Sequence, residues 1–331
     1  MVGLRIRAGA LAIALVAVNG DARAATCWTP PEPQTVAETA AALSNSVNRA
    51  ARARDARAAG PAALMLTAGG QRTPYAAGFL LGWTETGARP DFAVVTAVDD
   101  SALIAPFVFL GPGEDATMAQ IVACGGDNMK ALAERAAAAI NSALLDKLAA
   151  KHKAGGRLYI ALTGSAARPD TMWNIGGIAA GGGPKAVRRI QAILRASVNL
   201  GTAVEAASDV AGAELAENRP FRQFGLGEGV LTYAVADMPI ARYYIIHSSP
   251  LPEQSPEYLK TRVGVSAGKP QIAAVDDVLW ASRAAGVKGR IAFPDRRTQL
   301  APETAFGDAA KQLFHDTFRR ARMGQDMRTL R

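Results

Sequence analysis

Apolar residues in this chain gather into short continuous runs separated by longer stretches of mixed character. Residues 62–67 (A-A-L-M-L-T), 92–98 (F-A-V-V-T-A-V), 157–162 (R-L-Y-I-A-L) and 242–247 (R-Y-Y-I-I-H) are such runs. An unbroken apolar run of that length predicts a strand buried on both faces. The intervening segments carry helical character: 35–59, rich in Ala and Arg; 75–85; 102–110, stopped by Gly111-Pro112-Gly113; 128–151, rich in Ala; and 186–198, amphipathic. Strands alternating with helices predict an α/β fold, a three-layer α/β/α sandwich around a mostly parallel sheet. No internal repeat is present, and Gly176-Gly177 and Gly181-Gly182-Gly183 read as punctuation of a loop.

Composition adds a location. The 331 residues, 49% hydrophobic with aromatics at 6%, suffice for one large core or two smaller ones. Arg5 and Arg7 precede an apolar stretch over 8–18, and Ala22-Arg23-Ala24 follows as an A-x-A cleavage pattern. Together these predict a secretory signal peptide over 1–24, with an apolar part too short to span a bilayer. Residues 25–60 then form an N-terminal lead-in, and the α/β domain occupies 61–331. The expected location is periplasmic or secreted.

Charge and chemistry-bearing residue types narrow the partners. The formal net charge is +8, part of it in the signal segment. The remaining basic surplus suits a lipid or membrane surface with anionic headgroups. Nucleic acid is not expected, because the basic residues do not interleave with aromatics and no reading motif occurs. Arg319, Arg320, Arg322, Arg328 and Arg331 read as a solvated helix end and a frayed terminus. Export permits a disulfide between Cys27 and Cys124, but two cysteines so far apart do not demand one. Ala24-Ala25-Thr26 is a weak lipobox ahead of Cys27. His152, His247 and His315 are scattered, so neither a metal nor a cofactor is expected.

Two strand ends carry the candidate chemistry, since open α/β sheets bind ligands beyond the carboxyl ends of their strands. The first is T-A-G-G-Q-R-T-P-Y-A-A-G, from Thr67 to Gly78. Glycines ahead of a helix let backbone amides cradle an anion or oxyanion, although an ordinary strand-to-helix turn uses glycine too. The second is T-A-V-D-D-S, from Thr96 to Ser101. Strand, sharp turn and helix with small flanking residues make a nucleophile elbow, and its centre here is Asp99. Asp tolerates the positive φ such a centre adopts. Read alone, Asp99-Asp100-Ser101 is equally a helix cap with favourable acids in the first turn.

In order along the chain, these segments resemble the patatin-like phospholipase family. L-M-L-T-A-G-G-Q-R-T-P-Y-A-A-G-F-L-L-G-W is similar to its glycine-rich turn and first helix. F-A-V-V-T-A-V-D-D-S-A-L-I-A-P-F-V-F-L-G-P is similar to its elbow, usually G-x-S-x-G. R-L-Y-I-A-L-T at Arg157, M-W-N-I-G-G-I-A-A at Met172, I-L-R-A-S-V-N-L-G at Ile193 and P-E-T-A-F-G-D-A-A-K-Q-L-F at Pro302 extend the likeness over about residues 61–325. F-G-L-G-E-G-V at Phe224 falls where the family places D-G-G. The resemblance implies a patatin-like sandwich and a serine–aspartate dyad on lipid acyl esters. Backbone amides of the glycine turn would hold the oxyanion.

Carried over residue by residue, that machinery mostly fails. The serine position is Asp99, and the aspartate position is Gly227, with Glu228 beside it as a possible substitute. Of the oxyanion turn, Gly69, Gly70 and Arg72 remain; Ala68 replaces its first glycine and Thr73 a later one. A carboxylate adduct at an ester carbonyl would expel the carboxylate again rather than an alkoxide, because the carboxylate is far the weaker base. Ser101 lies about 200° around a helix axis from Asp99 and should point elsewhere. The expectation is an exported pseudoenzyme that binds lipid or acyl ligands, with Asp99 settled against the Gly69 and Gly70 amides or Arg72. Two alternatives stay open: an active acyl-ester hydrolase using water activated by Asp99 or Glu228, and a non-enzymatic interaction protein. Asp99, Asp100 and Glu228 also have the residue types of a cation site.

Overall fold

The structure, a computed structural model, describes residues 28–69, 72–124, 128–162, 171–198, 239–248, 288–294, 306–325 and 327–329. Each long apolar run is a strand: β1 (Ala62–Leu66), β2 (Phe92–Val98), β3 (Arg157–Leu162) and β5 (Arg242–Ile246). Three short strands join them: β4 (Thr171–Asn174), β6 (Lys288–Ala292) and β7 (Met327–Thr329). The order across the sheet is β4-β3-β2-β1-β5-β6-β7. The five central strands are parallel, and β4 and β7 pair antiparallel at the edges. Chain order reverses at β1, which sends its crossover to β2 on one side and pairs with β5 on the other. The switch point, where such sheets open a crevice, therefore lies between the carboxyl ends of β1 and β5.

Both faces of the sheet are covered, as the unbroken apolar runs require. Leu64 and Leu66 of β1 and Ile246 of β5 join one large core with the helices, while Met65 and Ile245, which alternate with them, are equally buried. The result is the expected mostly parallel α/β/α sandwich. Among the described residues the helices are α1 (Val36–Ala58), α2 (Thr73–Glu85), α3 (Ala105–Leu110), α4 (Asp115–Ala123), α5 (Met129–Ala139), α6 (Ser142–Lys153), α7 (Ile175–Gly181), α8 (Gly183–Ala196) and α9 (Phe306–Arg322). No helix among the described residues is long and apolar enough to cross a membrane.

α2 and α9 pack backbone to backbone because α2 places Gly78 and Gly82 on one face. A Cβ at Gly78 would sit 2.4 Å from the Phe314 carbonyl oxygen, and one at Gly82 would sit 2.3 Å from that of Phe318. Trp28 closes the seam from outside, edge-on to both Phe314 and Phe318 at 5.7 Å. α1 lies along the same assembly: Asn45 Nδ2 donates to the Arg322 carbonyl (2.8 Å), and Arg49 pairs with Glu85 (2.9 Å).

Several elements differ from the expectation. The single helix over 128–151 is two, α5 and α6. Ile140 leaves helical geometry with ψ 100°, and Asn141 restarts the chain as an N-cap, accepting from Leu144 N–H (2.9 Å). Asn caps a new helix more favourably than it sits inside one. The helix over 102–110 begins as a 3-10 turn, Asp99–Leu103, before α3. Gly176-Gly177 is the first turn of α7 rather than loop, capped by Asn174 Oδ1 accepting from Gly177 N–H (2.9 Å). The arginine-rich end is not simply solvated: Arg322 is 6% exposed and β7 continues the sheet. Cys124 is disulfide-bonded, and the sequence has one other cysteine, Cys27, outside the described residues.

Candidate functional site

The carboxyl ends of β1, β2 and β5 meet at one place. Leu66 is in register with Ala97 of β2 and Ile246 of β5, so the residues that follow each strand converge. Thr67 N–H donates to the Ile246 carbonyl (3.1 Å), and Ser248 N–H reaches Thr67 Oγ1 (3.4 Å). Gly69 must be glycine here, since a Cβ would stand 2.3 Å from the Ser248 Cβ.

Asp99 is the elbow residue. Its φ is 49°, alone among described non-glycine residues in being positive. The strained conformation arises because β2 must turn immediately into the 3-10 segment, and Asp is among the few residues that accept it. Asp99 and Asp100 are each 7% exposed.

Asp100, one residue on, makes the contact expected of Asp99. Its carboxylate accepts from the Gly69 N–H at 3.1 and 3.2 Å and from the Thr73 hydroxyl. The positive φ at Asp99 rotates the chain so that the next side chain faces the β1 turn. The expectation that Asp99 takes the Gly69 amide is thereby corrected: Asp100 holds it. The Asp100 carboxyl group thus fills the place beside the Gly69 amide that the resemblance would assign to an oxyanion.

Ser101 is buried and spent on structure. Its oxygen accepts from Val98 N–H (2.9 Å), and its hydrogen is shared between the carbonyls of Val98 (2.8 Å) and Leu66 (3.0 Å). It braces β2 to β1. Arg72 precedes α2; its N–H donates to the Gly69 carbonyl (3.0 Å), closing the turn, and its Nε is buried without a hydrogen bond. Gly70, Gly227 and Glu228 lie outside the described residues. Asp99, Asp100, Gly69 and Arg72 are brought together.

Sequence reasoning overlooked Thr73, His247 and Ser248. Thr73 read only as a lost glycine, yet its hydroxyl anchors Asp100. His247, 2% exposed, ends the fourth apolar run and Ser248, 1% exposed, follows it; their position at the switch point was the signal. Among the described residues no group of three His, Cys, Asp or Glu stands close enough to hold a metal ion. What the arrangement does chemically is hold two adjacent carboxylates at a rigid elbow, one of them closing the glycine turn. Comparison of the sequence with protein-family models and with curated proteins finds no match.

Proposed function

We infer that the chain is an exported, patatin-like protein without ester-hydrolysing chemistry, which keeps the crevice beyond β1, β2 and β5 to bind a lipid or acyl ligand. One observation carries the reading: the elbow centre is Asp99 at φ 49°, and the adjacent Asp100 carboxylate occupies the Gly69 amide. A serine hydrolase stripped of its nucleophile loses about 10⁶ in turnover. Blocking one oxyanion donor costs about 10²–10³ more where the nucleophile is intact. Loss of both removes any pressure to keep the turn open, and Asp100 stabilises it closed. The disulfide at Cys124 supports export to an oxidising compartment.

The test is ester hydrolysis by the purified mature protein on short-chain aryl esters and phospholipid vesicles, beside Asp99→Ala. No turnover by a folded sample, together with saturable sedimentation on the vesicles, is the expected result. Turnover lost in Asp99→Ala overturns the silent-site reading and makes Asp99 a catalytic base toward water.

A further inference from the structure

A concave site lies at the other pole of the sheet. α2 starts at the carboxyl end of β1 and runs back, so its last turn sits beside the amino ends of the strands. There α1, the ends of α2 and α9, and the β6–β7 edge border a half-open cavity of about 380 Å³, within the size range of small-ligand sites. Its walls differ from those of a packing defect. Phe79 and Trp83 provide an aromatic side, and Met323 and Met327 an aliphatic one. Three guanidinium groups, Arg52, Arg290 and Arg322, come from three different elements, and no acidic residue is among the described residues lining it.

Arg52 is held in place by uncharged partners, whereas Arg322 is paired with Glu38. Arg52 Nη1 donates to Asn45 Oδ1 (2.8 Å) and the Thr86 carbonyl (3.3 Å), both uncharged. Asn45 is itself fixed by donating to the Arg322 carbonyl. Arg322 is 6% exposed; Nη1 donates to the Pro31 carbonyl (2.9 Å), while Nε and Nη2 have no hydrogen bond. Glu38 forms a buried ion pair with Arg322, Oε2 standing 3.7 Å from Nη2, and the Phe318 ring lies 5.3 Å from the guanidinium carbon. Arg52 and Arg290 have no acidic partner among the described residues, and each guanidinium on the cavity wall attracts an anion. The planar guanidinium fork fits the paired oxygens of a carboxylate or phosphate.

We propose that this cavity binds an organic anion, a carboxylate or phosphomonoester head held by Arg52 and Arg290 with its apolar body against Phe79 and Trp83. The site is separate from the elbow and does not rest on the reading of that site.

The experiment is isothermal titration calorimetry of the mature chain with phenyl phosphate, benzoate, inorganic phosphate and phenol, with tryptophan fluorescence followed in parallel. Phenyl phosphate or benzoate binds saturably and more weakly as salt rises; inorganic phosphate binds less tightly, and phenol does not bind. Arg290→Gln, an exposed position whose loss leaves the fold intact, weakens the anion about 10-fold or more, one charge-assisted contact. Arg52→Lys, which keeps charge but loses the fork, weakens it too if the variant folds. The proposal is overturned if no anion saturates by about 10 mM, if phenol binds as well as phenyl phosphate, or if Arg290→Gln matches the wild type. Equal affinity for inorganic phosphate and phenyl phosphate overturns the aromatic contact.

Discussion

Asp100 is the most informative residue to remove. Its buried carboxylate holds the Gly69 N–H and the Thr73 hydroxyl, tying the turn after β1 to the turn after β2. A hydrogen bond to a charged group contributes about 1.5–3 kcal/mol, and each donor left buried without its acceptor costs a similar amount. Relief from desolvating the carboxylate offsets part of this. Asp100→Ala should therefore destabilise the protein by about 3 kcal/mol, a large share of the 5–15 kcal/mol typical of a domain. Asp100→Asn keeps one oxygen for Gly69 and loses the charge, so roughly half that loss is expected. Thr73→Val removes the other partner alone. Urea unfolding of wild type, Asp100→Ala, Thr73→Val and the double variant closes a cycle whose coupling should lie at about 1 kcal/mol or more. The reasoning is refuted if Asp100→Ala stays within about 0.5 kcal/mol of wild type, or if the cycle shows no coupling. Either result would mean that Asp100 does not close the turn.

Three further outcomes follow from the packing. Gly82→Ala would gain about 1 kcal/mol of helix propensity but drives a methyl into the Phe318 carbonyl at 2.3 Å; net destabilisation of about 2 kcal/mol in thermal unfolding is expected, and a stabilised variant would contradict the contact. Asp115→Asn leaves Arg89, whose side chain is 1% exposed and 2.7 Å from Asp115, as a buried unpaired cation; a loss of about 3–5 kcal/mol is expected from urea titration. Burial, and then Arg319, hold the His315 imidazole below its ordinary range, against the opposing pull of Asp316. The unfolded chain then takes up the proton first. His315 accordingly contributes stability that is full above the ordinary imidazole value and is lost as pH falls through the folded one. His315→Gln should flatten the stability–pH curve in that window, and an unchanged slope would reject the assignment.

The sequence by itself determined the architecture to the extent that architecture is a matter of local pattern. The runs at 62–67, 92–98, 157–162 and 242–247 are too apolar to face water on either side, so they became the sheet interior, and Asp99 at the end of one was legible as a turn centre. Short or polar elements were not legible. β4, β6 and β7 are strands because a neighbour offers them a ladder, and the break at Ile140 and Asn141 interrupts an otherwise acceptable helical pattern. At the elbow, two adjacent acids look alike in a sequence. Which of them reaches Gly69 depends on the φ of Asp99, and that angle is set by how β2 must leave the sheet. The same holds for Arg322 and the cavity it shares with Arg52 and Arg290. Residues 30 to 270 positions apart have no common local pattern, and only chain packing puts them around one cavity.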